Sequence, residues 1–251
     1  LVLTVHVGNR LTQFDLYQNG TRCAGFRFAT DPAKTSDEYV ALIRGSMTMQ
    51  RLSGAILSSV VPPVTDAVAR AVEQIAGCPV PRVGPGLKTG LNIKIENPAQ
   101  LGSDLVAITM GALSRYSAPL VLIQFEVATT LCAIDASGAF LGAVIAPGIT
   151  KSLAALSASA ANLPEIALEA PRNVIGKNTV DSMRAGAVFG TAAMLDGLLS
   201  RITAELSAPP TIIATGVPCE TILAHCSHQI TWDPDLLADG LVRIWERNQL
   251  K

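Results

Sequence analysis

The sequence has few aromatic residues and no surplus of charge of either sign. Aromatic residues make up 4% of its 251 residues, and 19 lysines and arginines stand against 20 aspartates and glutamates, giving a net charge of -1. Proteins that bind nucleic acid usually carry a basic stripe along one face. The balanced composition therefore argues against nucleic acid as a partner.

Cysteine is scarce as well, and its spacing excludes two kinds of site. The five cysteines form neither a C-x-x-C pair nor a His/Cys cluster of zinc spacing, so the sequence predicts no metal site and favours a reducing, cytoplasmic location. The first apolar run is interrupted by His6 and Asn9 and lacks a basic leader. It supports neither a signal peptide nor a membrane span.

Hydrophobic residues are plentiful at 49%, and they follow the same plan twice. Each half opens with three short apolar runs separated by turns, at residues 1–7, 11–17 and 22–28 and again at 119–125, 128–134 and 140–146. The turns include Asn19-Gly20 and Ser137-Gly138, and Asn-Gly between two such runs is a strong hairpin signal. The repetition predicts two similar lobes.

After each set of strands the apolar spacing changes to that of helices. Thr35 and Glu38 form a capping box, and residues 54–61 form a buried strand that ends before two prolines. In the second half we expect a long helix at 179–206 and a closing helix at 233–248. The fold class is therefore α/β, with lobes at residues 1–117 and 118–251, each a mixed β-sheet flanked by helices.

Seven short motifs carry a family resemblance that covers essentially the whole chain. They are "TDPAKTSDEY" (30–39), "SSVVPPVT" (58–65), "VGPGLKTGL" (83–91), "IAPGI" (145–149), "VIGKNTVDSM" (174–183), "ATG" (214–216) and "DPDLLADGL" (233–241). In order and spacing the sequence resembles type III pantothenate kinases. The resemblance implies duplicated ribonuclease H-like (actin-like ATPase) lobes. It also implies a homodimeric, ATP-dependent kinase that phosphorylates pantothenate in the first step of coenzyme A synthesis.

The first phosphate turn departs from the family pattern D-x-G-N-T, whose Asp serves the metal and whose other residues wrap the phosphates. Here the corresponding residues are His6, Gly8, Asn9 and Arg10. Gly8 and Asn9 still allow a tight turn. Neutral imidazole, however, is a poor ligand for Mg²⁺, which prefers hard oxygen atoms.

The second phosphate turn differs from the family pattern more than the first does. The family pattern is roughly D-x-G-T-A-T, and the corresponding residues here include Gln124, Glu126, Val127 and Thr129. Glu126 adds bulk and negative charge where glycine would let the backbone approach a phosphate. We therefore expect that this chain binds no nucleotide and no cofactor of its own.

The third motif, G-x-D-R, grips pantothenate and supplies the general base in the family. Here it is Gly102, Ser103, Asp104 and Leu105, so the base position is retained but the guanidinium is lost. A charge-assisted Arg-carboxylate contact is worth ~1.5–3 kcal/mol, so its loss should weaken pantothenate binding. An isolated Asp104 can also be an idle carboxylate at a helix start.

The segment "VIGKNTVDSM", by contrast, is intact. In the family, the threonine that matches Thr179 contacts pantothenate bound in the neighbouring subunit. An alternative is that Asn178 or Thr179 simply caps the helix that follows.

The pattern of losses and retention suggests a degenerate subunit that completes the active site of a homologous partner. That partner would hold ATP, Mg²⁺ and a monovalent cation, K⁺ or NH₄⁺, with pantothenate at the interface. A homodimer is the other assembly that we expect, and neither nucleic acid nor a membrane is expected as a partner. A ligand-sensing regulator, or an enzyme of altered chemistry that uses His6, Arg10 and Glu126, stays open.

Overall fold

The computed structural model describes residues 1–47, 51–217 and 219–249. The strands are β1 (Val2–Val7), β2 (Leu11–Gln18), β3 (Thr21–Ala29), β4 (Gly54–Ser59), β5 (Leu120–Phe125), β6 (Ala128–Ile134), β7 (Phe140–Pro147), β8 (Thr211–Gly216) and β9 (Thr231–Trp232). The helices are α1 (Ser36–Ser46), α2 (Pro62–Ala76), α3 (Ser103–Arg115), α4 (Ile149–Ser159), α5 (Thr179–Glu205), α6 (Glu220–Leu223) and α7 (Leu236–Gln249), with a 3₁₀ turn at Pro98–Gln100. Within these residues no helix has the length and apolar character that a membrane crossing requires.

The chain divides into two compact units. The first contains Leu1–Asn92, Glu96–Arg115 and the part from Asp235 onward, and the second contains Ile93–Ile95 and Tyr116–Pro234. The first unit has a four-stranded sheet of order β3-β2-β1-β4, and the second has a five-stranded sheet of order β7-β6-β5-β8-β9. In both sheets an antiparallel three-stranded meander is followed by a parallel strand, β4 beside β1 and β8 beside β5. The predicted duplication is confirmed.

The hairpin turn and the helix cap that the sequence predicts in the first half are both present. Asn19 and Gly20 both have positive φ, 51° and 75°, which is the backbone of a tight hairpin turn. The Thr35 hydroxyl accepts a hydrogen bond from the Glu38 N–H, and the Glu38 carboxylate accepts one from the Thr35 N–H at 2.7 Å. The capping box is therefore confirmed, and it satisfies two backbone donors at the start of α1.

Each sheet buries an apolar face under helices. In the first unit, α1 and α2 cover a core that is built mainly of branched aliphatic residues and includes Leu3, Val5, Leu57, Val68 and Val72. In the second unit, α5 contributes Leu195 and Leu199 to a core that also contains Ile123 and Leu131. Burial of this kind stabilises by roughly 1.5–3 kcal/mol for each large aliphatic side chain, before conformational entropy is subtracted.

The closing helix corrects the predicted domain boundary. The sequence-based division placed residues 118–251 in one lobe, but α7 belongs to the first unit. Its residues Ala238 and Val242 pack against Val2 of β1 and Tyr17 of β2. Apolar periodicity predicted a helix in this region without showing which sheet the helix would cover.

Two glycines allow α3 and α7 to approach each other closely. A Cβ atom on Gly111 of α3 would overlap the backbone oxygen of Leu236, and one on Gly240 of α7 would overlap the backbone oxygen of Ala107. Neither glycine has positive φ, so the requirement comes from space and not from backbone conformation. The two helices therefore pack backbone against backbone.

We predict that Gly111→Ala lowers the free energy of unfolding by about 1–3 kcal/mol, because the added methyl group must push α7 away. The matched control is Gly45→Ala in α1, where a Cβ would meet nothing within 4 Å. That control should be neutral or slightly stabilising, by up to about 1 kcal/mol. Urea unfolding of both variants makes the measurement, and equal stability of the two would contradict the packing described.

Candidate functional site

The backbone of the first phosphate turn is intact. The Gly8 N–H donates to the Leu11 carbonyl at 3.0 Å, and the Thr30 hydroxyl donates to the Gly8 carbonyl at 2.7 Å. A Cβ on Gly8 would lie 3.0 Å from the Leu11 oxygen and 3.1 Å from His6 Nε2, so glycine is favoured by space. Asn9 and Arg10 are exposed at the tip. These hydrogen bonds fix the shape of the turn.

His6 is buried beneath this turn and begins a chain of hydrogen bonds. Its Nδ1 lies 3.2 Å from Ser58 Oγ, which lies 2.9 Å from Ser103 Oγ. Ser103 donates to the Ser59 carbonyl at 2.9 Å. Because a hydroxyl has one proton, Ser58 then donates to Ser103 and His6 Nδ1 donates to Ser58. This assignment places the proton of neutral His6 on Nδ1.

The protonation state of His6 follows from its surroundings. Burial lowers the pKa of His6 from its ordinary value of 6.5, and the nearby Asp104 carboxylate opposes this with a smaller effect. The side chain is 7% exposed, so the neutral imidazole is the form that the fold favours near neutral pH. A neutral imidazole packed beneath a turn does not fit Mg²⁺, whose preferred ligands are oxygen atoms.

The third motif lies at the start of α3. Ser103 is the first residue of that helix, and its hydroxyl also accepts the Ser59 N–H at 3.1 Å. Asp104 lies in the first turn of the helix, and a Cβ on Gly102 would meet its carboxylate. The structure therefore brings His6, Ser103 and Asp104 together, with Ser103 engaged by β4. Sequence reasoning missed Ser58, because a serine within an apolar strand gives no signal of what lies beside it.

The second turn lies between β5 and β6 of the second unit. Gln124 is buried at the end of β5, whereas Glu126 and Val127 are exposed. The Glu126 N–H donates to the Ala128 carbonyl at 2.9 Å, which closes the turn tightly. Its position at the tip makes Glu126 a source of negative charge where the family pattern has glycine.

Thr129 is the retained residue of this turn, and its hydroxyl is unsatisfied. The side chain is 1% exposed, and Oγ1 has no hydrogen-bond partner within the part of the chain that the structure describes. Leaving a buried hydroxyl unpaired costs about 1–3 kcal/mol.

Two further glycines allow neighbouring segments to pack closely against the second turn. A Cβ on Gly148, which precedes α4, would overlap the backbone oxygens of Glu126 and Val127. Gly216, at the end of β8 with φ of 100°, approaches the Phe125 carbonyl in the same way. The backbone around the second turn is therefore tightly enclosed, as it is around the first.

Thr179 is the first residue of α5, and the structure settles which residue caps that helix. The Asn178 side chain accepts the Asp181 N–H at 2.8 Å and donates to the Asp181 carboxylate at 2.8 Å. No hydrogen bond among residues 1–47, 51–217 and 219–249 uses the Thr179 hydroxyl, and the residue is exposed. The N-cap residue is therefore Asn178, and the exposed Thr179 side chain takes no part in capping the helix.

A cavity of about 730 Å³ lies beside Thr179, between α4 and α5. Apolar side chains form most of its wall, namely Ile149, Leu153, Leu156, Leu163, Met183 and Ala187. Sequence reasoning missed this cavity because α4 was not predicted. The candidate residues thus lie in both units, with those near His6 in the first unit and the second turn and Thr179 in the second.

Within the described residues, the candidate residues of neither unit form a preformed metal site. Across residues 1–47, 51–217 and 219–249, no group of three or more His, Cys, Asp or Glu side chains is arranged to hold a metal ion. Mg²⁺ is usually held by one or two carboxylates together with substrate phosphates and waters, and in the set around His6 the Asp104 carboxylate is a ligand of that kind whereas the imidazole of His6 is not.

Comparison with known proteins gives a consistent result. Residues 2–201 match the profile of the type III pantothenate kinase family. A type III pantothenate kinase from Bacillus cytotoxicus is 37% identical over 255 residues, which cover 100% of this chain and 97% of that protein.

Two solved structures share the fold at much lower identity. The activator of 2-hydroxyisocaproyl-CoA dehydratase from Clostridium difficile, with bound ADPNP, has a TM-score of 0.57 at 9% identity, covering 100% of this chain and 98% of that one. The inorganic polyphosphate/ATP-glucomannokinase from an Arthrobacter species has a TM-score of 0.50 at 11% identity, covering 99% and 98%. They show the fold alone, which is the actin-like α/β fold that the sequence predicts.

The protonation of His6 leads to a pH prediction. The folded state resists protonation of His6, whereas the unfolded chain binds the proton near pH 6.5, so His6 lowers the free energy of unfolding as the pH falls below about 6.5. Between pH 7.5 and 5.5 this loss should reach up to about 1.4 kcal/mol in the wild type and be absent in His6→Asn. Urea unfolding at both pH values makes the measurement, and identical pH dependence of the two proteins would show that His6 titrates normally.

The two altered turns lead to a binding prediction. We expect no measurable binding of Mg·ATP by the isolated chain in calorimetry, because His6 is a poor partner for Mg²⁺ and Glu126 repels phosphate. The Bacillus cytotoxicus relative serves as the positive control under the same conditions. Micromolar affinity in this chain would mean that the altered turns still accept the nucleotide.

Proposed function

The chain belongs to the type III pantothenate kinase family, and we propose that it acts in coenzyme A biosynthesis as a catalytically degenerate subunit of a heteromeric pantothenate kinase. In this proposal a complete homologous chain binds ATP, Mg²⁺ and K⁺ or NH₄⁺, and converts ATP and pantothenate to 4'-phosphopantothenate. The present chain contributes Thr179 to the pantothenate site of that partner.

The proposal is supported by the contrast between the residues of the chain's own nucleotide site and the segment around Thr179. The residues that would serve the chain's own nucleotide site have changed in chemistry, with neutral, buried His6 beneath the first turn and exposed Glu126 at the second. The segment around Thr179 retains the family motif, and its hydroxyl is not used by the helix cap. Residues that serve the chain itself were lost, while those offered to a neighbour were kept.

The magnitude of the losses supports an inactive nucleotide site. Phosphoryl transfer depends mainly on positioning and on electrostatic stabilisation of the transferred group. A carboxylate beside a phosphate group repels it, and in this proposal Glu126 places such a carboxylate at the second turn.

The substrate side has weakened independently. In G-x-D-R the arginine position is Leu105, which has no group to pair with the pantothenate carboxylate. Asp104 keeps the position of the general base, but a base acts only when substrate and nucleotide are held together. In the proposed pseudokinase Asp104 is therefore idle.

One observation favours a second candidate function, an enzyme of altered chemistry in the old cleft. The chain from His6 through Ser58 to Ser103 fixes the orientation of the imidazole, and Asp104 lies close enough to affect its pKa. An oriented neutral histidine beside a carboxylate is typical of acid-base catalysis. Activity of the isolated chain that is lost in His6→Asn would favour this candidate.

The proposal predicts a specific effect of Thr179→Ala on the purified heteromer. The variant should lower kcat/KM for pantothenate by roughly two- to tenfold, the value of one neutral hydrogen bond, and leave ATP binding by the partner unchanged. Thr179→Ser, which keeps the hydroxyl, is the matched control and should retain most of the activity. If Asp104→Asn in this chain abolishes activity while Thr179→Ala has no effect, the working site lies in this chain and the pseudokinase proposal is wrong.

The partner is identified by purifying this chain from its native host and analysing the bound proteins by mass spectrometry. A complete homologue carrying D-x-G-N-T and G-x-D-R is the expected result. Recovery of the chain without such a homologue, together with kinase activity of the purified chain, would contradict the heteromeric proposal.

A further inference from the structure

A polar cavity of about 330 Å³ lies within the first unit. Its wall comes from the hairpin turn between β2 and β3, the end of α3 and one side of α7. The hairpin turn lies at the opposite end of β2 from the first phosphate turn, so this cavity is separate from the site around His6. The charged side chains of the wall are Arg22, Arg115, Arg243, Asp235 and Asp239. We call it the α3/α7 cavity.

Two ion pairs fix part of the wall. The Arg22 guanidinium donates from Nε to the Asp15 carboxylate at 2.6 Å, and Asp15 is buried. The Asp239 carboxylate accepts the Tyr17 hydroxyl at 2.6 Å and also pairs with the Arg115 guanidinium. Because these partners hold both arginines and Asp239 in place, this part of the cavity is preformed.

The other two charged groups of the wall are held less firmly. Arg243 pairs at 3.2 Å with Glu246, three residues further along α7, and the two side chains are 50% and 39% exposed. Exposed pairs of this kind contribute little to stability, so the Arg243 guanidinium can take up another carboxylate. Asp235 Oδ1 lies 3.6 Å from Arg22 Nη1. A carboxylate accepts up to about four hydrogen bonds, so Asp235 can accept a further donor beside the partners that it has.

The charges around the α3/α7 cavity nearly cancel. The wall contains three guanidinium groups and two carboxylates. Two more carboxylates, those of Asp15 and Glu246, pair with wall arginines from outside the wall. Neither sign dominates, so a ligand with a single charge gains no net attraction from the cavity as a whole.

We propose that the α3/α7 cavity binds a small zwitterion, with its ammonium group on Asp235 and its carboxylate on Arg243. The mixed charge of the wall selects this chemistry. An apolar ligand would take the charged groups out of water without replacing their hydrogen bonds. A zwitterion offers each of the two loosely held groups an opposite charge, and charge-assisted hydrogen bonds are stronger than neutral ones.

The spacing of the two groups along α7 bears on the length of the ligand. Asp235 directly precedes α7 and Arg243 lies eight residues later, which corresponds to about 12 Å along a helix axis. The Arg243 guanidinium is also drawn toward Glu246, on the side away from Asp235. This separation favours an ω-amino acid, whose charged groups stand at the two ends of a carbon chain, over an α-amino acid.

The size of the cavity agrees with such a ligand. A water molecule takes about 30 Å³ in the liquid, so about 330 Å³ has room for roughly ten groups of that size. The ω-amino acid 6-aminohexanoate has fewer non-hydrogen atoms than that and serves as the probe.

Inorganic phosphate is the main competing occupant, because three guanidinium groups line the cavity. Two of these, on Arg22 and Arg115, already pair with Asp15 and Asp239. A phosphate ion would also lie near the Asp235 carboxylate, which repels it. The zwitterion uses Asp235 as a partner, so it accounts for more of the wall.

The test is isothermal titration calorimetry of the full chain with 6-aminohexanoate at low salt. One site per chain with a dissociation constant below about 5 mM is the expected result for a ligand of this size. Hexanoate and hexylamine each keep only one of the charged ends, and glycine keeps both ends without the spacing. All three should bind at least about tenfold more weakly.

Two variants locate the ligand in the cavity. Asp235→Asn and Arg243→Gln each remove one charge with little change in size, and each should weaken binding of 6-aminohexanoate at least about tenfold. The matched controls are Asp66→Asn and Arg82→Gln, which break a partly exposed ion pair outside the cavity and should leave the affinity unchanged. Circular dichroism of all four variants should show the fold of the wild type, because none of these side chains is buried.

Three results would overturn the inference. The first is the absence of saturable binding up to about 50 mM 6-aminohexanoate, ten times the expected limit. The second is equal or tighter binding of hexanoate or inorganic phosphate, which would make the cavity a simple anion site. The third is unchanged affinity in both Asp235→Asn and Arg243→Gln, which would place the ligand elsewhere. The measurements involve neither ATP, pantothenate nor a partner chain, so their outcome is independent of the proposed function.

Discussion

The mixed pairing of the first strand in each sheet determines where both phosphate turns lie. β1 and β5 each have an antiparallel neighbour on one side and a parallel neighbour on the other. The chain must turn at the end of that strand while its parallel neighbour continues into a separate segment. The turns at Gly8 and Glu126 therefore occupy the same place in the two units, whatever side chains they carry. The position of each turn is thus set by strand pairing and does not depend on whether its side chains can bind a phosphate.

This separation explains why the altered residues are compatible with a stable fold. We interpret His6 as standing where the family pattern has a metal-binding acid, and its ring is held by Ser58 and packed beneath Gly8. Its neutral form removes the cost of burying a charge without a partner. Thr129 differs from His6 in this respect. It matches the threonine of the family pattern, but its hydroxyl is buried without a hydrogen-bond partner among the described residues.

Local chemistry made much of the fold predictable from sequence. The Asn19-Gly20 hairpin and the Thr35 capping box depend on neighbouring residues only, and both form as predicted. The packing of α7 depends on Gly111 and Gly240, which meet only after the chain has returned to the first unit. A single sequence contains no local signal for such a contact. The same reason applies to Ser58, whose partners His6 and Ser103 come from distant parts of the sequence. The cavity between α4 and α5 was missed because α4 itself was not predicted.

The return of α7 to the first unit has a consequence for how the chain is synthesised. The second unit is complete once residue 234 has been made, but the first unit still lacks the helix that packs along α3. Domains generally fold as units during synthesis, so the later half of this protein can reach its final packing before the earlier half does. Until α7 arrives, the faces of β1 and α3 that it will cover stay open to water. The first unit therefore completes its packing only after α7, which follows the second unit in the chain, has been synthesised.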